Sequence, residues 1–197
     1  KMLDEVRLKK IRNSIKALEL PPGIVISGTA MITYKAPWND AVIHESGEVD
    51  MIISQAVLQH IDKLAMTYEL MNKWLKPAGY MSHVIDFKSM GSSDSWNGHW
   101  SYSDIEWKIV RGRKKYLINR LPYSAHVKLL EENGFDIICN KKTISEPTIR
   151  MEDLAPRFRS MSDEDISVSG AYVLSIKKIL SAVWIFIIGL EKSLLIA

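Results

Sequence analysis

Length, composition and charge set the first limits on this chain. It has 197 residues, of which 47% are hydrophobic and 25% are charged, so it is long enough to bury the core of one domain. The net charge of +3 is mild and the basic residues are spread along the chain, which argues against a nucleic-acid-binding protein. A single cysteine excludes an internal disulfide and favours a reducing, cytoplasmic setting.

The first predicted elements are a helix and a short strand. Apolar residues at helical spacing, from Leu8 to Leu18, predict the helix, and Pro21 helps to end it. The β-branched and aromatic run "MITYKAP" then predicts a strand. A loop that carries Asn39 and Asp40 follows this strand.

The stretch "VDMIISQAVLQHID", Val49 to Asp62, begins with a continuous apolar run. Such a run predicts a central strand that is covered on both faces, and the polar pair Ser54-Gln55 ends it. The next apolar residues are three and four apart, which predicts a helix between Asp62 and Leu75. A further strand is predicted over Tyr80 to Phe87, so the three elements form a crossover unit with parallel strands.

Residues 88 to 118 differ in composition from the rest of the chain. They are rich in Ser and Gly and contain several Trp and Tyr residues, which predicts a lid or insertion. Beyond them, Ser124 is predicted to cap a helix and Gly134 to end it with a left-handed turn. Two strands follow, Phe135 to Cys139 and "AYVLSI", with a short helix predicted between them at "MEDLAPRFRS".

The segment 179–197 begins with the apolar run "ILSAVWIFIIGL". This run is shorter than the roughly 20 residues that a membrane-spanning helix needs. We expect the tail to pack on the body of the protein or on a second subunit of a homo-oligomer. Membrane contact through the tail is the less favoured alternative.

The order of these segments resembles the second half of a class I S-adenosylmethionine-dependent methyltransferase. The resemblance runs from Tyr34 to Lys178 and rests on these stretches: "VDMIIS" followed by "QAVLQHID", "MNKWLKPAGY", "MSHVIDF", "LLEENGFDII" and "AYVLSIKK". It implies an α/β domain over residues 1–178 with a Rossmann-like, mostly parallel sheet and an antiparallel C-terminal edge. It also implies S-adenosylmethionine as the cofactor, bound across the carboxyl ends of the strands.

The resemblance also implies which residues hold the cofactor. Asn39 and Asp40 would contact the adenine, and Gln55 and Ala56 would lie beside the methionine part. For Gln55 the alternative is a polar residue that turns a strand into a loop. The family's glycine-rich turn and ribose-binding acidic residue have no counterpart in the sequence. We therefore expect a truncated chain with its first strands missing, an unpaired apolar edge at Met51 to Ser54, and weak cofactor binding.

Methyl transfer requires an aligned acceptor and, for many acceptors, a base. Asp86, His83 and His60 are the candidate bases, and Asp86 is favoured because it ends a strand. The alternative for Asp86 is a carboxylate that caps a loop. His60 opens a helix, where a histidine often only satisfies backbone groups. His83 and Asp86 are three residues apart on a strand, so they are expected on opposite faces.

Trp96, Trp100 and Arg120 are the candidate residues for binding a small-molecule acceptor. Trp96, Trp100 and Trp107 are expected to lie over the carboxyl ends of the strands and form an apolar pocket. Arg120 is suited to orient an acidic or hydroxylated acceptor. The basic run "RGRKK" is more simply a solvated face than a nucleic-acid contact. The histidines lack metal-ligand spacing, so no metal site is expected.

Three classes of function fit these features. The first is S-adenosylmethionine-dependent methyl transfer to a small molecule, a lipid or a sugar. The second is a non-catalytic, methyltransferase-like binding partner. The third is another Rossmann-type enzyme such as a nucleotide-dependent oxidoreductase, which is the weakest because its defining glycines are absent from the sequence.

Overall fold

The computed structural model describes residues 5–6, 8–9, 25–27, 30–32, 47–114 and 116–179. The chain divides into two units, Lys1–His44 and Glu45–Ala197. In the first unit, β1 (Val25–Ser27) and β2 (Ala30–Ile32) form an antiparallel pair. The strand predicted at "MITYKAP" is therefore described only at its first two residues. The rest of it, most of the first predicted helix and residues 180–197 of the apolar tail lie outside the described residues.

The second unit contains a four-stranded sheet with its helices. In chain order, the elements are β3 (Val49–Gln55), α1 (Leu64–Trp74), β4 (Leu75–Asp86), α2 (Asp104–Arg111), α3 (Tyr123–Glu132), β5 (Phe135–Ile144), α4 (Asp163–Ser167) and β6 (Val168–Lys177). Single turns of 3₁₀-helix occur at Leu58–His60, Gly98–Trp100, Met151–Asp153 and Pro156–Phe158.

The four strands lie in the order β3-β4-β6-β5. β3 and β4 are parallel and α1 joins them, as predicted from the spacing of apolar residues. β6 is antiparallel to both β4 and β5, so β3, β4 and β5 point the same way and only β6 is reversed. The reversed last strand lies between β4 and β5, and β5 forms the outer edge. The predicted α/β fold with a Rossmann-like sheet is confirmed.

One face of the sheet carries the core. On α1, Leu64, Tyr68 and Met71 are buried, which confirms the predicted apolar stripe. The Tyr68 ring meets the His83 ring of β4 edge to face at 6.3 Å between centroids, so α1 packs over this face. Ile85, two residues farther along β4, is 1% exposed. Full burial of such a side chain stabilises the fold by about 1.5–3 kcal/mol relative to exposure.

The opposite face of β3 and β4 is apolar and exposed. Met51, Ile53, Tyr80 and Val84 are between 41% and 70% exposed. Within the described part of the chain, β3 pairs with β4 alone. The prediction of a central strand covered on both faces is therefore wrong for these residues, and β3 has an apolar edge that no described strand pairs with. The continuous apolar run was misleading because exposed and half-buried positions alternate along β3.

Three local predictions need correction. Ser124 does not cap α3, because Pro122 occupies the N-cap position and the Ser124 hydroxyl donates to Asp165 instead. Two separate 3₁₀ turns replace the short helix predicted at "MEDLAPRFRS". The segment 88–118 contains α2, a helix that composition alone did not reveal. The sequence feature that indicates this helix is the capping box formed by Ser103 and Glu106.

The left-handed turn predicted at Gly134 is present, with φ at +77°. In the part of the chain that is described, no helix is both long and apolar enough to cross a membrane.

Candidate active site

Polar side chains follow β3 and β4 at the edge of the sheet where both strands end. β3 ends at Gln55, whose side chain is exposed, and β4 ends at Asp86, which is half-buried. The Ala56 N–H donates to the Val84 carbonyl at 2.8 Å, and Ala56 has a φ of +51°. A positive φ at a non-glycine residue is uncommon and tends to occur at functional sites. This edge is therefore a candidate site.

A small cavity lies beyond the end of β4. Its volume is about 10 Å³, room for roughly one water-sized group. Its lining consists of Gln59, Asp86, Phe87, His99, Ile118, Asn119, Arg120 and Leu121. Segments far apart in the sequence therefore meet at the carboxyl end of the sheet.

Two residues of the cavity lining, Gln59 and His99, carry buried polar atoms without hydrogen-bond partners. Gln59 is 2% exposed, and among the described residues neither its carboxamide oxygen nor its nitrogen has a hydrogen-bond partner. The same holds for Nδ1 of His99, which is 1% exposed. Leaving a buried polar group unpaired costs about 1–3 kcal/mol, and native proteins contain few such groups. The residues of this lining therefore have unused hydrogen-bonding capacity.

Asn119 holds Gln59 in position. The Asn119 side chain donates to the carbonyls of Leu58 and Ile61, both at 2.9 Å. Its backbone N–H donates to the Gln59 carbonyl at 2.7 Å. The turn after β3 is thus fixed to the residues that follow segment 88–118. Sequence reasoning missed Gln59, since a polar residue in a strand-to-helix connection carries no specific signal.

Asp86 caps a loop and also lines the small cavity. Its Oδ1 accepts a hydrogen bond from the Lys88 N–H at 2.9 Å, which is the loop cap. The same residue lines the small cavity beside Gln59 and His99. Burial, together with the charge of Arg120, lowers the pKa of His99 to about 3, so this imidazole is neutral at pH 7.

His83 lies apart from this cavity. It is fully buried on the helix-covered face, with Nδ1 2.7 Å from the Ser54 hydroxyl. Burial lowers the pKa of His83 to about 4. Tyr68 and His126 pair beside it, with the Tyr68 hydroxyl 3.1 Å from Nδ1 of His126. His83 does not line the cavity that contains Asp86, and their spacing on β4 directs the two side chains to opposite faces of the strand.

His60 occupies the 3₁₀ turn that carries Gln59. It is half-buried, and its Nδ1 has no hydrogen-bond partner among the described residues. His60 is not in the lining of the small cavity.

Segment 88–118 is tied to the carboxyl edge of the sheet. The Trp96 indole donates to the Glu146 carbonyl just beyond β5 at 2.8 Å. Trp100 is fully buried and its indole donates to the Arg120 carbonyl at 3.0 Å. The rings of Trp96 and Trp100 meet edge to face at 6.2 Å. The Trp100 side chain has no exposed surface. Its contact with this region is therefore the hydrogen bond that holds the Arg120 backbone.

Arg120 is a buried cation in a fixed position. It is 4% exposed and has a φ of +64°. Its guanidinium donates to the Tyr102 carbonyl at 2.7 Å and to Asp104 Oδ1 at 2.8 Å. It also lies over the rings of Trp107 and Phe158, at 4.7 and 5.0 Å from their centroids. Burial, followed by the charge of Arg157, lowers the pKa of Arg120.

A second, larger cavity adjoins Arg120. Its volume is about 460 Å³, and it shares Asn119, Arg120 and Leu121 with the small cavity. Its other lining residues are Asp62, Asp104, Trp107, Lys108, Arg111 and Arg157. The small cavity at the end of the sheet and the larger, charged cavity are therefore neighbours, and Arg120 lines both of them.

The structure thus brings together Asp86 and Arg120, and it places Gln55 and Ala56 at the same edge of the sheet. Asn39 and Asp40 lie outside the described residues. Where the chain is described, no group of three or more His, Cys, Asp or Glu side chains is arranged to hold a metal ion.

Comparison with known proteins identifies the fold. No family model matches the chain, and no curated protein matches it. Among solved structures, an S-adenosylmethionine-dependent methyltransferase from Mesorhizobium loti aligns with a TM-score of 0.51 and 15% identity, over 89% of this chain and 77% of that one. A SAM-dependent methyltransferase from Methanosarcina mazei aligns with a TM-score of 0.45 and 14% identity, over 70% of this chain and 63% of that one.

The chain spans less than two thirds of the length of several such structures, including 56% of one and 63% of the Methanosarcina protein. The alignment with the Mesorhizobium loti structure shows the fold alone, because the two chains are only 15% identical. The chain has the fold of the class I S-adenosylmethionine-dependent methyltransferases.

Proposed function

We propose that this protein transfers a methyl group from S-adenosylmethionine to a small-molecule acceptor. The observation that carries the proposal is the polar cavity at the end of β4, whose lining combines Asp86 with the unpartnered Gln59 carboxamide and with His99, whose Nδ1 is unpartnered. Ligands of open α/β sheets bind at the carboxyl ends of the strands. The similarity in fold to methyltransferases supports this reaction class by analogy.

For the cofactor we propose Asn39, Asp40, Gln55 and Ala56 as binding residues. S-adenosylmethionine supplies a methyl group that its sulfonium already activates. The exposed Gln55 carboxamide can hydrogen-bond the polar atoms of the methionine part. The Ala56 N–H is engaged by Val84, so Ala56 offers only its carbonyl. The Gln55 carboxamide and the Asp86 carboxylate at this edge fit a ligand that carries hydroxyl and ammonium donors.

On the acceptor side, Asp86 is the proposed base. Asp86 lines the cavity, and an ionised carboxylate can accept a proton from a hydroxyl, amine or acidic carbon. Gln59 would hold the acceptor by donating and accepting hydrogen bonds through its carboxamide. His60 and His83 remain secondary candidates, since neither lines this cavity. Trp96 and Trp100 are proposed to shape the acceptor pocket.

The test is calorimetry with S-adenosylhomocysteine on the natural polypeptide that contains these residues. Saturable binding is expected. Gln55→Ala should weaken it about tenfold, the effect of losing one hydrogen bond to a charged group. Lys128→Ala on the exposed side of α3 is the matched control and should leave the affinity unchanged.

If S-adenosylhomocysteine does not bind to the wild-type polypeptide, the proposed methyltransferase activity is wrong. That result would favour a non-catalytic, methyltransferase-like binding partner instead. Binding of a nicotinamide dinucleotide in place of S-adenosylhomocysteine would favour an oxidoreductase.

A further inference from the structure

The larger cavity beside Arg120 has a composition suited to anions. We propose that it binds the phosphate or carboxylate group of the methyl acceptor, an inference that rests on the proposed function. The acceptor would then be a small molecule with an oxyanion at one end and the methylated atom at the other.

Positive charge is concentrated at this place. The larger cavity is lined by four cationic and two acidic side chains: Lys108, Arg111, Arg120, Arg157, Asp62 and Asp104. A neighbouring cavity shares Asp62 and Arg111 and adds Arg113 and Lys114. The two cavities together present six cations and two acids, an excess of four charges, whereas the whole chain has a net charge of +3. Such a concentration attracts anions and raises their local concentration.

Arg120 is held ready for an oxyanion. A guanidinium has five N–H donors. Three hydrogen bonds use them here, to the carbonyls of His99 and Tyr102 and to Asp104. The two flanking aromatic rings fix the plane of the group. A fixed, planar guanidinium loses little side-chain entropy when it binds a carboxylate or phosphate.

Asp104 joins Arg120 to a second arginine without neutralising both. Its Oδ1 accepts from Arg120 at 2.8 Å and from Arg157 at 2.7 Å. The hydrogen bond from Arg157 is the main reason that the pKa of Asp104 is lowered. One carboxylate therefore aligns two guanidinium groups and leaves a net positive charge. Lys108, which lies on α2 with Asp104, makes no ion pair with any described residue.

The position of the cavity connects it with the reaction. Asn119, Arg120 and Leu121 line both the charged cavity and the small cavity that contains Asp86. An acceptor with its oxyanion between Arg120 and Arg157 would extend past these residues toward Asp86. A polymer backbone is less suitable, because Arg120 has only 3% of its side chain exposed. Trp107, a buried residue of α2, provides an apolar wall for the acceptor.

The experiment is an NMR titration of the natural polypeptide with inorganic phosphate and, separately, with acetate. The indole N–H of Trp107 reports on the cavity, and the indole of Trp74, the last residue of α1, is the internal reference because Trp74 lines neither charged cavity. We expect a saturable shift at Trp107 with one or both anions, and none at Trp74. The anion that binds more tightly identifies the phosphate or carboxylate class.

Variants test the assignment. Arg157→Gln and Lys108→Gln should each weaken anion binding, and together by about tenfold or more. Both residues are exposed, so neither substitution removes a buried side chain. Arg150→Gln is the matched control, because Arg150 is an exposed arginine outside both cavities that is paired with Glu152 and Asp153.

The outcomes separate this inference from the proposed function. If S-adenosylhomocysteine binds but anions give no saturable shift, the inference is wrong and the proposed methyltransferase function still stands. The same conclusion follows if Arg150→Gln weakens anion binding as much as Arg157→Gln or Lys108→Gln does. If anions bind but S-adenosylhomocysteine does not, the assignment to a methyl acceptor is wrong. Displacement of phosphate by a single-stranded oligonucleotide at lower concentration would indicate a nucleic-acid surface and also overturn it.

Discussion

The backbone N–H of Lys88 donates a hydrogen bond to Oδ1 of Asp86 at 2.9 Å, so the candidate base also caps the loop that follows β4. The two roles use different properties of the side chain. The cap needs an oxygen acceptor, whereas proton removal needs an ionised carboxylate. An asparagine at position 86 keeps the first property and removes the second.

Asp86→Asn is therefore expected to leave the melting temperature close to that of the wild type and to lower methyl transfer by about 10²–10⁴-fold, the usual contribution of a general base. Formation of S-adenosylhomocysteine is the measurement, with acceptors drawn from phosphorylated and carboxylated small molecules. Asp86→Ala is the comparison, since it removes the cap as well and should also destabilise the fold. Full activity in Asp86→Asn would leave Asp86 with the capping role alone.

Gln59→Leu is expected to stabilise the protein while it impairs the reaction. The substitution replaces an unpartnered buried carboxamide with an apolar group of similar size. Removing an unsatisfied buried polar group should raise the free energy of unfolding by about 1 kcal/mol. Urea denaturation measures this change, and Gln55→Leu, at an exposed position, is the control that should show no gain. A large loss of stability in Gln59→Leu would mean that the native carboxamide is hydrogen-bonded.

The buried histidines should make the fold sensitive to acid. Burial lowers the pKa of His83 to about 4 and that of His126 to about 3, whereas an unfolded histidine has a pKa near 6.5. Below about pH 6.5 the unfolded chain takes up protons that the folded chain does not. Stability is therefore full above this pH and is lost as the pH falls toward 4. His83 alone should lower the free energy of unfolding by about 2 kcal/mol between pH 7.5 and pH 5.

Urea denaturation at the two pH values measures this loss, and NMR titration of the imidazole signals measures the pKa values directly. His83→Gln removes one titrating group and should flatten the dependence on pH. A native His83 that titrates near pH 6.5 would contradict the prediction.

Two isoleucines on neighbouring strands should differ sharply in their contribution to stability. Ile85 is 1% exposed on the helix-covered face, and Ile53 is 70% exposed on the opposite face. Ile85→Ala should cost about 2–5 kcal/mol, because it leaves a cavity in the core. Ile53→Ala should change the free energy of unfolding by no more than about 0.5 kcal/mol. Chemical denaturation compares the two variants, and an equal cost would show that the exposed face of β3 is covered in solution.

The local elements of the second unit could be predicted from the sequence. The spacing of Leu64, Tyr68 and Met71 predicted α1, and the flanking apolar runs predicted two parallel strands. These predictions succeeded because helical and strand periodicities are properties of consecutive residues. The capping box at Ser103 was equally local, and α2 could have been predicted from it.

Which polar residues share a site depends on the three-dimensional fold. Gln59, Asp86, His99 and Arg120 come from four separate segments and meet because Asn119 ties the turn after β3 to the chain beyond α2. The exposure of Ile53 also depends on tertiary packing, because it is set by what covers that face of the sheet. Periodicity specifies which face of an element is apolar. It does not specify what packs on that face, because packing depends on contacts between residues that are distant in the sequence.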